Sequence, residues 1–296
     1  MFRAVPGEFT LYECPGCRLL FQDPQVPVSE LGNFYPPGYW WRAGRGWLSG
    51  LQENYRREVV RRDHLRFVRS IWPDPAGVRL LDVGTGSGLF VQLATAAGYD
   101  AYGLEASQEA VEEARPHLSH RIILGSETSA AESAGPFDVV TLFHALEHIP
   151  DPFHFLRNVQ KLLRRPGHLV VQVPNRSSWQ AACFGRRWYG LDCPRHLNNF
   201  SLYSLLFVLG RAGFRIRQVR HFSLRDNAAA LVSSLFPGLD PIVRRVRRQG
   251  RPPAGLGEVL ASGVYFGAVV LAQPLAWIEA RAGHGATVMV WASWDV

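Results

Sequence analysis

Residues 78–98 read VRLLDVGTGSGLFVQLATAAG, followed by YDAYGLEA to position 106. Val78–Val83 is a short apolar run of the kind that fills a buried strand, and Leu89–Ala97 carries a helical apolar pattern that Gly98 closes. Between them Gly84-Thr85-Gly86-Ser87-Gly88 makes a turn whose backbone can come close to a ligand and aim helix N-terminal amides at it. Such a turn can also be no more than a tight turn. Glu105 strengthens the ligand reading: it ends the second predicted strand 21 residues after Gly84, where a carboxylate can accept hydrogen bonds from both ribose hydroxyls. Turn and carboxylate together specify an adenosine-type cofactor. Because Leu89 follows Gly88, the spacing is G-x-G-x-G and departs from the G-x-G-x-x-G of nicotinamide dinucleotide sites.

Outward from this unit, strand and helix signals alternate. Tyr99–Leu104 is the second strand, Ser107 caps a helix running to about His117, and Arg121–Leu124 and Phe137–Leu142 are strands three and four. Asp151 and Pro152 form an N-cap and first-turn pair for a helix with the buried stripe Phe155, Val159 and Leu162, and with Lys161, Arg164 and Arg165 at its C-terminal end. His168–Val173 is strand five, a helix spans about Ser201–Ala212, Phe214–His221 is strand six and Ala286–Ala292 the last. Upstream, Leu48, Leu51, Tyr55, Val59, Leu65 and Val68 predict one or two amphipathic helices over Trp47–Trp72, stopped by Pro73 and Pro75. Residues 1–48, with the run Phe34-Tyr35-Pro36-Pro37-Gly38-Tyr39-Trp40-Trp41, read as an irregular arm. The alternation predicts an α/β fold with a doubly wound, mostly parallel sheet covered on both faces.

The 296 residues, 47% hydrophobic and 19% charged, suffice for a full core. The net charge of +7 favours anionic partners. Its bases are arginines apart from Lys161, and no nucleic-acid-binding signature accompanies them, so no nucleic-acid partner is expected. Cys14, Cys17, Cys183 and Cys193 are too few and scattered for a disulfide framework, which implies a reducing, cytoplasmic setting. The N-terminus lacks the basic start and apolar core of a secretory signal, and the chain is expected not to be exported.

LLDVGTGSG at 80–88 resembles motif I of the class I S-adenosylmethionine-dependent methyltransferases. FDVVTLFHALEHIPDP at 137–152 and LLRRPGHLVVQVPN at 162–175 are similar to the strand-four and strand-five motifs of the quinone-biosynthesis-like branch, and DCPRHLNNFS at 192–201 to a later stretch of it. The resemblance implies a seven-stranded Rossmann-like methyltransferase fold, the last strand antiparallel beside the fifth, and S-adenosyl-L-methionine as cofactor. Asp82, Gly84, Thr85, Gly86, Gly88, Glu105, Ala106, Glu127, Phe143 and His144 are the candidate cofactor-binding residues.

Methyl transfer from a sulfonium needs alignment and a nucleophile freed of its proton, and imidazole titrates near neutrality. His148 and His196, with Glu147, are the candidate catalytic residues; Arg195, Asp192 and Trp188 are candidates for the acceptor site. Each has a plainer reading: His148 bonding a loop carbonyl, His144 packing, Arg195 pairing with Asp192. The resemblance also raises a metal, since related quinone methyltransferases are metal-assisted, but His144 stands where the first acid of that cluster is expected and no metal is assigned. Cys14-Pro15-Gly16-Cys17 resembles one knuckle of a zinc ribbon that precedes some methyltransferases; without a second knuckle it reads as a degenerate ribbon.

The expected organisation is an arm at 1–48, a cofactor-binding core at 49–223, an apolar helical insertion at 224–284 and the last core strand at 285–296. The insertion contains RRVRRQGR at 244–251 and an uncharged run at 259–278. A buried helix pair is one reading; the other is peripheral membrane contact through 244–278 at the inner face, with a lipid-linked acceptor. The expected function is methyl transfer to a small-molecule or lipid-linked acceptor at oxygen. Sugar C-methylation and a non-catalytic membrane-associated protein are the alternatives, and the oligomeric state stays open.

Overall fold

A computed structural model describes residues 9–26, 30, 34–35, 54–55, 57–247 and 256–295. In chain order the strands are β1 (Leu11–Glu13), β2 (Leu20–Gln22), β3 (Arg79–Val83), β4 (Asp100–Glu105), β5 (Ile122–Leu124), β6 (Phe137–Phe143), β7 (Leu163–Pro174), β8 (Asn198–Asn199), β9 (Arg215–Arg220) and β10 (Thr287–Trp294). The helices are α1 (Arg66–Ile71), α2 (Leu89–Ala96), α3 (Gln108–Leu118), α4 (Pro152–Leu162), α5 (Trp179–Phe184), α6 (Leu202–Arg211), α7 (Asn227–Leu235), α8 (Pro241–Arg247) and α9 (Leu256–Arg281). The chain divides into two compact units. A sheet unit takes residues 45–173, 205–220 and 289–296; a companion unit takes 1–44, 174–204 and 221–288.

The sheet unit holds a seven-stranded sheet in the order β5-β4-β3-β6-β7-β10-β9. Parallel pairing sets Leu80 opposite Ala101 and Val139, and β10 runs antiparallel to β9 with Val290 opposite Val219. Leu80, Leu81, Val139, Val140, Val170 and Val171 are buried, as strands covered on both faces require. Phe67 and Val68 of α1, Phe90 and Ala94 of α2, and Val111 and Ala114 of α3 close one core over Leu80, Val139 and Val170. The expected fold, including the last strand beside the fifth, is the observed one.

Local readings differ in places. α4 starts as expected, with the Asp151 carboxylate accepting from the His154 amide at 2.9 Å and Pro152 in the first turn. It ends at Leu162, however, and Arg164 and Arg165 are strand residues of β7. Arg165 precedes Pro166, which disfavours helical backbone there. Arg164 instead pairs with Asp138 at 3.0 Å. The helix before the sheet is described at 54–55 and from 57, with a π-helical turn at Arg61–Leu65; its expected start at Trp47 lies outside the described residues.

In the companion unit the arm is not wholly irregular. β1 and β2 form an antiparallel hairpin, β8 joins β2, and Cys14-Pro15-Gly16-Cys17 lies in the hairpin turn. The three-residue strands are too short for periodicity to reveal. Of the aromatic run, only Phe34 and Tyr35 fall among the described residues. The apolar insertion is not a buried helix pair: α9 is one continuous helix of 26 residues with Pro274 on its exposed side. Tyr265, Val269, Ala272 and Ala276 pack on Ala228 and Val232 of α7, while Leu260, Val264, Leu271 and Leu275 are exposed.

Candidate active site

The glycine turn sits between β3 and α2, at the carboxyl end of the sheet. Gly84 and Gly88 have φ of 71° and 73°, a region that costs a side chain about 1–2 kcal/mol. A Cβ at Gly84 would also lie 2.8 Å from that of Ala145, and one at Gly88 2.4 Å from Leu118 Cδ1. Packing of the protein on itself therefore explains these two glycines. Gly86 differs, because its amide donates to Glu105 Oε2 at 2.8 Å, while the Ser107 amide donates to Oε1 at 2.9 Å. Glu105 is buried, which pushes its carboxyl above the ordinary value against the pull of the amides of Ser107, Gly86 and Ala106.

Behind the turn, the buried Asp82 carboxylate accepts from Thr141 Oγ1 at 2.7 Å. Thr85 Oγ1 is buried without a hydrogen-bond partner. A carboxylate whose two oxygens keep lone pairs beyond the two amides, beside an unsatisfied hydroxyl in a glycine turn, fits a ligand bearing a diol. Ala106 follows Glu105 at the end of β4; Glu127 is exposed at the N-cap of a 3₁₀ turn at Thr128–Ala134.

At the end of β6, His144 adopts φ 57°, an uncommon backbone for a non-glycine residue and one that concentrates at functional sites. Its amide donates to the Gln172 carbonyl at 2.9 Å, its Nε2 lies 3.2 Å from Gln172 Nε2, and its Nδ1 is 3.4 Å from Glu147 Oε1. Since the Gln172 amide nitrogen only donates, Nε2 accepts and the neutral ring carries its proton on Nδ1, toward the buried Glu147. His148 is half-buried at the end of a 3₁₀ turn over Leu146–His148, its amide bonded to the Ala145 carbonyl. Phe143 is packed, its ring stacked 3.9 Å from His64 and edge-on to Phe90.

The other candidates belong to the companion unit. Arg195 is buried in a bidentate pair with Asp192, at 3.0 Å and 2.6 Å, the plainer of its two readings. His196 Nδ1 is 2.8 Å from the Gly190 carbonyl. A carbonyl only accepts, so Nδ1 carries the proton and Nε2 is the basic nitrogen. Gly190 lies under the Trp188 ring, where a Cβ would come within 2.4 Å, and the Trp188 Nε1 is buried without a partner. Burial and the neighbouring Asp192 push the Cys193 thiol up to about 11. Hydrogen bonding from Cys17 holds the Cys14 thiol below its ordinary value, while burial raises Cys17. Among the described residues this pair joins no group of three or more metal-binding side chains.

Sequence reasoning passed over Thr141, Gln172 and His64. His64 falls on the apolar stripe between Val60 and Phe67, and a polar residue at such a position was the available signal. Thr141 and Gln172 lie inside runs read simply as strand.

A family model described as a methyltransferase domain matches residues 51–219. A ubiquinone biosynthesis O-methyltransferase of Xanthomonas oryzae pv. oryzae is 32% identical over 183 residues, 58% of this chain and 72% of that protein. The protein of the same name from Xanthomonas axonopodis pv. citri is 37% identical over 159 residues, 49% of this chain, and the one from Caulobacter sp. is 36% identical over 107 residues, 34% of this chain. The chain spans 66% and 42% of those two relatives' lengths. The crystal structure of the [4+2]-cyclase SpnF, at 22% identity, aligns over 92% of this chain and 98% of that one with a TM-score of 0.52, a likeness of fold alone.

Proposed function

The chain belongs to the methyltransferase-domain family, class I in fold and dependent on S-adenosylmethionine, and from that premise we propose that it transfers a methyl group to an oxygen of a small-molecule acceptor. The observation that carries the reading is Glu105, buried at the end of β4 and tied to the Gly86 amide. Glu105 would hold the ribose diol, the Gly84–Gly88 turn and Asp82 the amino-acid end, and Ala106, Glu127, Phe143 and His144 the remaining edge of the cofactor. When bound, S-adenosylmethionine supplies a methyl group on a positively charged sulfur, which departs as a neutral thioether.

The chain's own part is alignment and proton removal. His196 Nε2 would take the proton of an acceptor hydroxyl; donation from Nδ1 to the Gly190 carbonyl keeps the tautomer right for this. His148 is the second candidate base. Glu147 orients His144. Arg195 is a positioning residue, holding Asp192 and the loop before His196, and Trp188 flanks the acceptor. The acceptor is a phenolic or lipid-linked hydroxyl compound met at the cytoplasmic face of a membrane. Calorimetric titration with S-adenosylmethionine, NADH as control, followed by transfer assays on quinone precursors, tests the reading. His196→Ala is expected to cut transfer while sparing cofactor affinity; equal losses of both would make His196 structural.

A further inference from the structure

The helix α9 is packed on one side and carries large apolar side chains on the exposed other, a combination that soluble folds avoid. Its inner face is covered along its whole length. Glu258 and Ser262 meet Arg244, the Tyr265 hydroxyl meets Ser233, Gln273 donates to the Leu224 carbonyl, and the buried Glu279 accepts from Gln180. The outer stripe Leu260, Val264, Leu271, Leu275 and Ile278 follows helical spacing and is exposed, Leu271 by 81%. Trp277, also exposed, carries the Arg281 guanidinium over its ring at 5.0 Å near the helix end.

We infer that α9 is a membrane-docking element, lying in the plane of an anionic bilayer with its outer stripe in the headgroup–acyl boundary. Spanning is excluded by the inner face: at about 39 Å the helix is long enough to cross, but Arg244, Glu258, Gln180 and Glu279 would be carried into hydrocarbon with it. Charge selects lipid over a second copy of the chain. Residues 221–288 hold seven arginines and four acids. Each acid is engaged within the unit: Asp226 with Ser223, Asp240 with Ser233, Glu258 with Arg244, Glu279 with Gln180. The surplus is arginine, which repels another copy and attracts anionic headgroups. This inference stands apart from the methyl-transfer reading and survives its failure.

Flotation of the full chain with phosphatidylcholine vesicles, with and without an equal part of phosphatidylglycerol, tests it. Binding at least about tenfold tighter to the anionic vesicles and weakened by salt is expected, with the protein released by alkaline extraction. The double variant Leu271→Asp, Leu275→Asp should lose at least about tenfold in vesicle affinity while keeping its melting temperature, since both side chains are exposed. Absence of flotation, flotation indifferent to the double substitution, resistance to alkaline extraction, or a dimer that the substitutions split without any vesicle binding would each overturn it.

Discussion

At the carboxyl end of the seven-stranded sheet polar groups lie inside, whereas on α9 large apolar groups lie outside. Asp82, Glu105, Thr141, Glu147 and Gln172 are buried among strand residues that are otherwise apolar. Leu260, Leu271, Leu275 and Trp277 are exposed on a helix whose opposite side is packed. Both regions violate the ordinary sorting of residues, and in opposite senses. A buried carboxylate costs desolvation that its hydrogen bonds only partly offset; an exposed leucine stripe leaves burial unused. The first arrangement suits a polar ligand and the second an apolar surface.

The sharpest probe of this contrast is on the inner side of α9. Gln180→Leu removes the side-chain donor of the buried Glu279 and leaves it the Gln180 backbone amide, and should cost about 1.5–3 kcal/mol in urea unfolding. A loss below about 0.5 kcal/mol, the scatter of ordinary surface substitutions, would make that network incidental. At the carboxyl end of the sheet, Glu105→Ala should weaken S-adenosylmethionine binding by about 1.5–3 kcal/mol in calorimetry, through loss of hydrogen bonds to a charged group. Unchanged affinity in a folded variant would remove Glu105 from the site.

A third probe uses pH. Burial holds His168 below its ordinary value, beside Trp291, whose Nε1 donates to its Nδ1 at 3.2 Å. The unfolded chain therefore binds more protons there, so this contribution is present above about pH 6.5 and is lost as pH falls through that value. Melting temperatures from pH 8 downward should decline less steeply in His168→Leu than in the parent; parallel curves would mean that His168 contributes nothing. The smallest effect is on the outer side of α9, where Leu271→Asp alone should change stability by no more than about 0.5 kcal/mol in the absence of membranes. A larger loss would show that Leu271 is covered in solution.

Much of the sheet was legible because buried parallel strands are apolar runs and helices between them have caps and stripes. The Gly84–Gly88 turn, Glu105 and the Asp151 cap are local signals, and each sits where its spacing placed it. β1, β2 and β8 were not legible, since two or three residues define no period and their partners lie far along the chain. Arg164 and Arg165 misled because cations after a helical stripe look like a helix end, while their actual place depends on strand pairing with β6. In the site, residue types were readable but partners were not. Arg195 was open to substrate or to Asp192 in sequence, and only the folded chain shows its bidentate pair with Asp192.

What the sequence determined by itself is the class of fold, the glycine turn and the carboxylate at the end of the second core strand, because all rest on interactions among near neighbours. Tertiary structure alone decided which polar groups are paired, which nitrogen of His196 is basic, and which side of α9 is left bare. The physical reason is that burial and hydrogen bonding are properties of contacts between distant segments. The same uncharged run at 259–278 is a core helix or a membrane surface according to what packs on it.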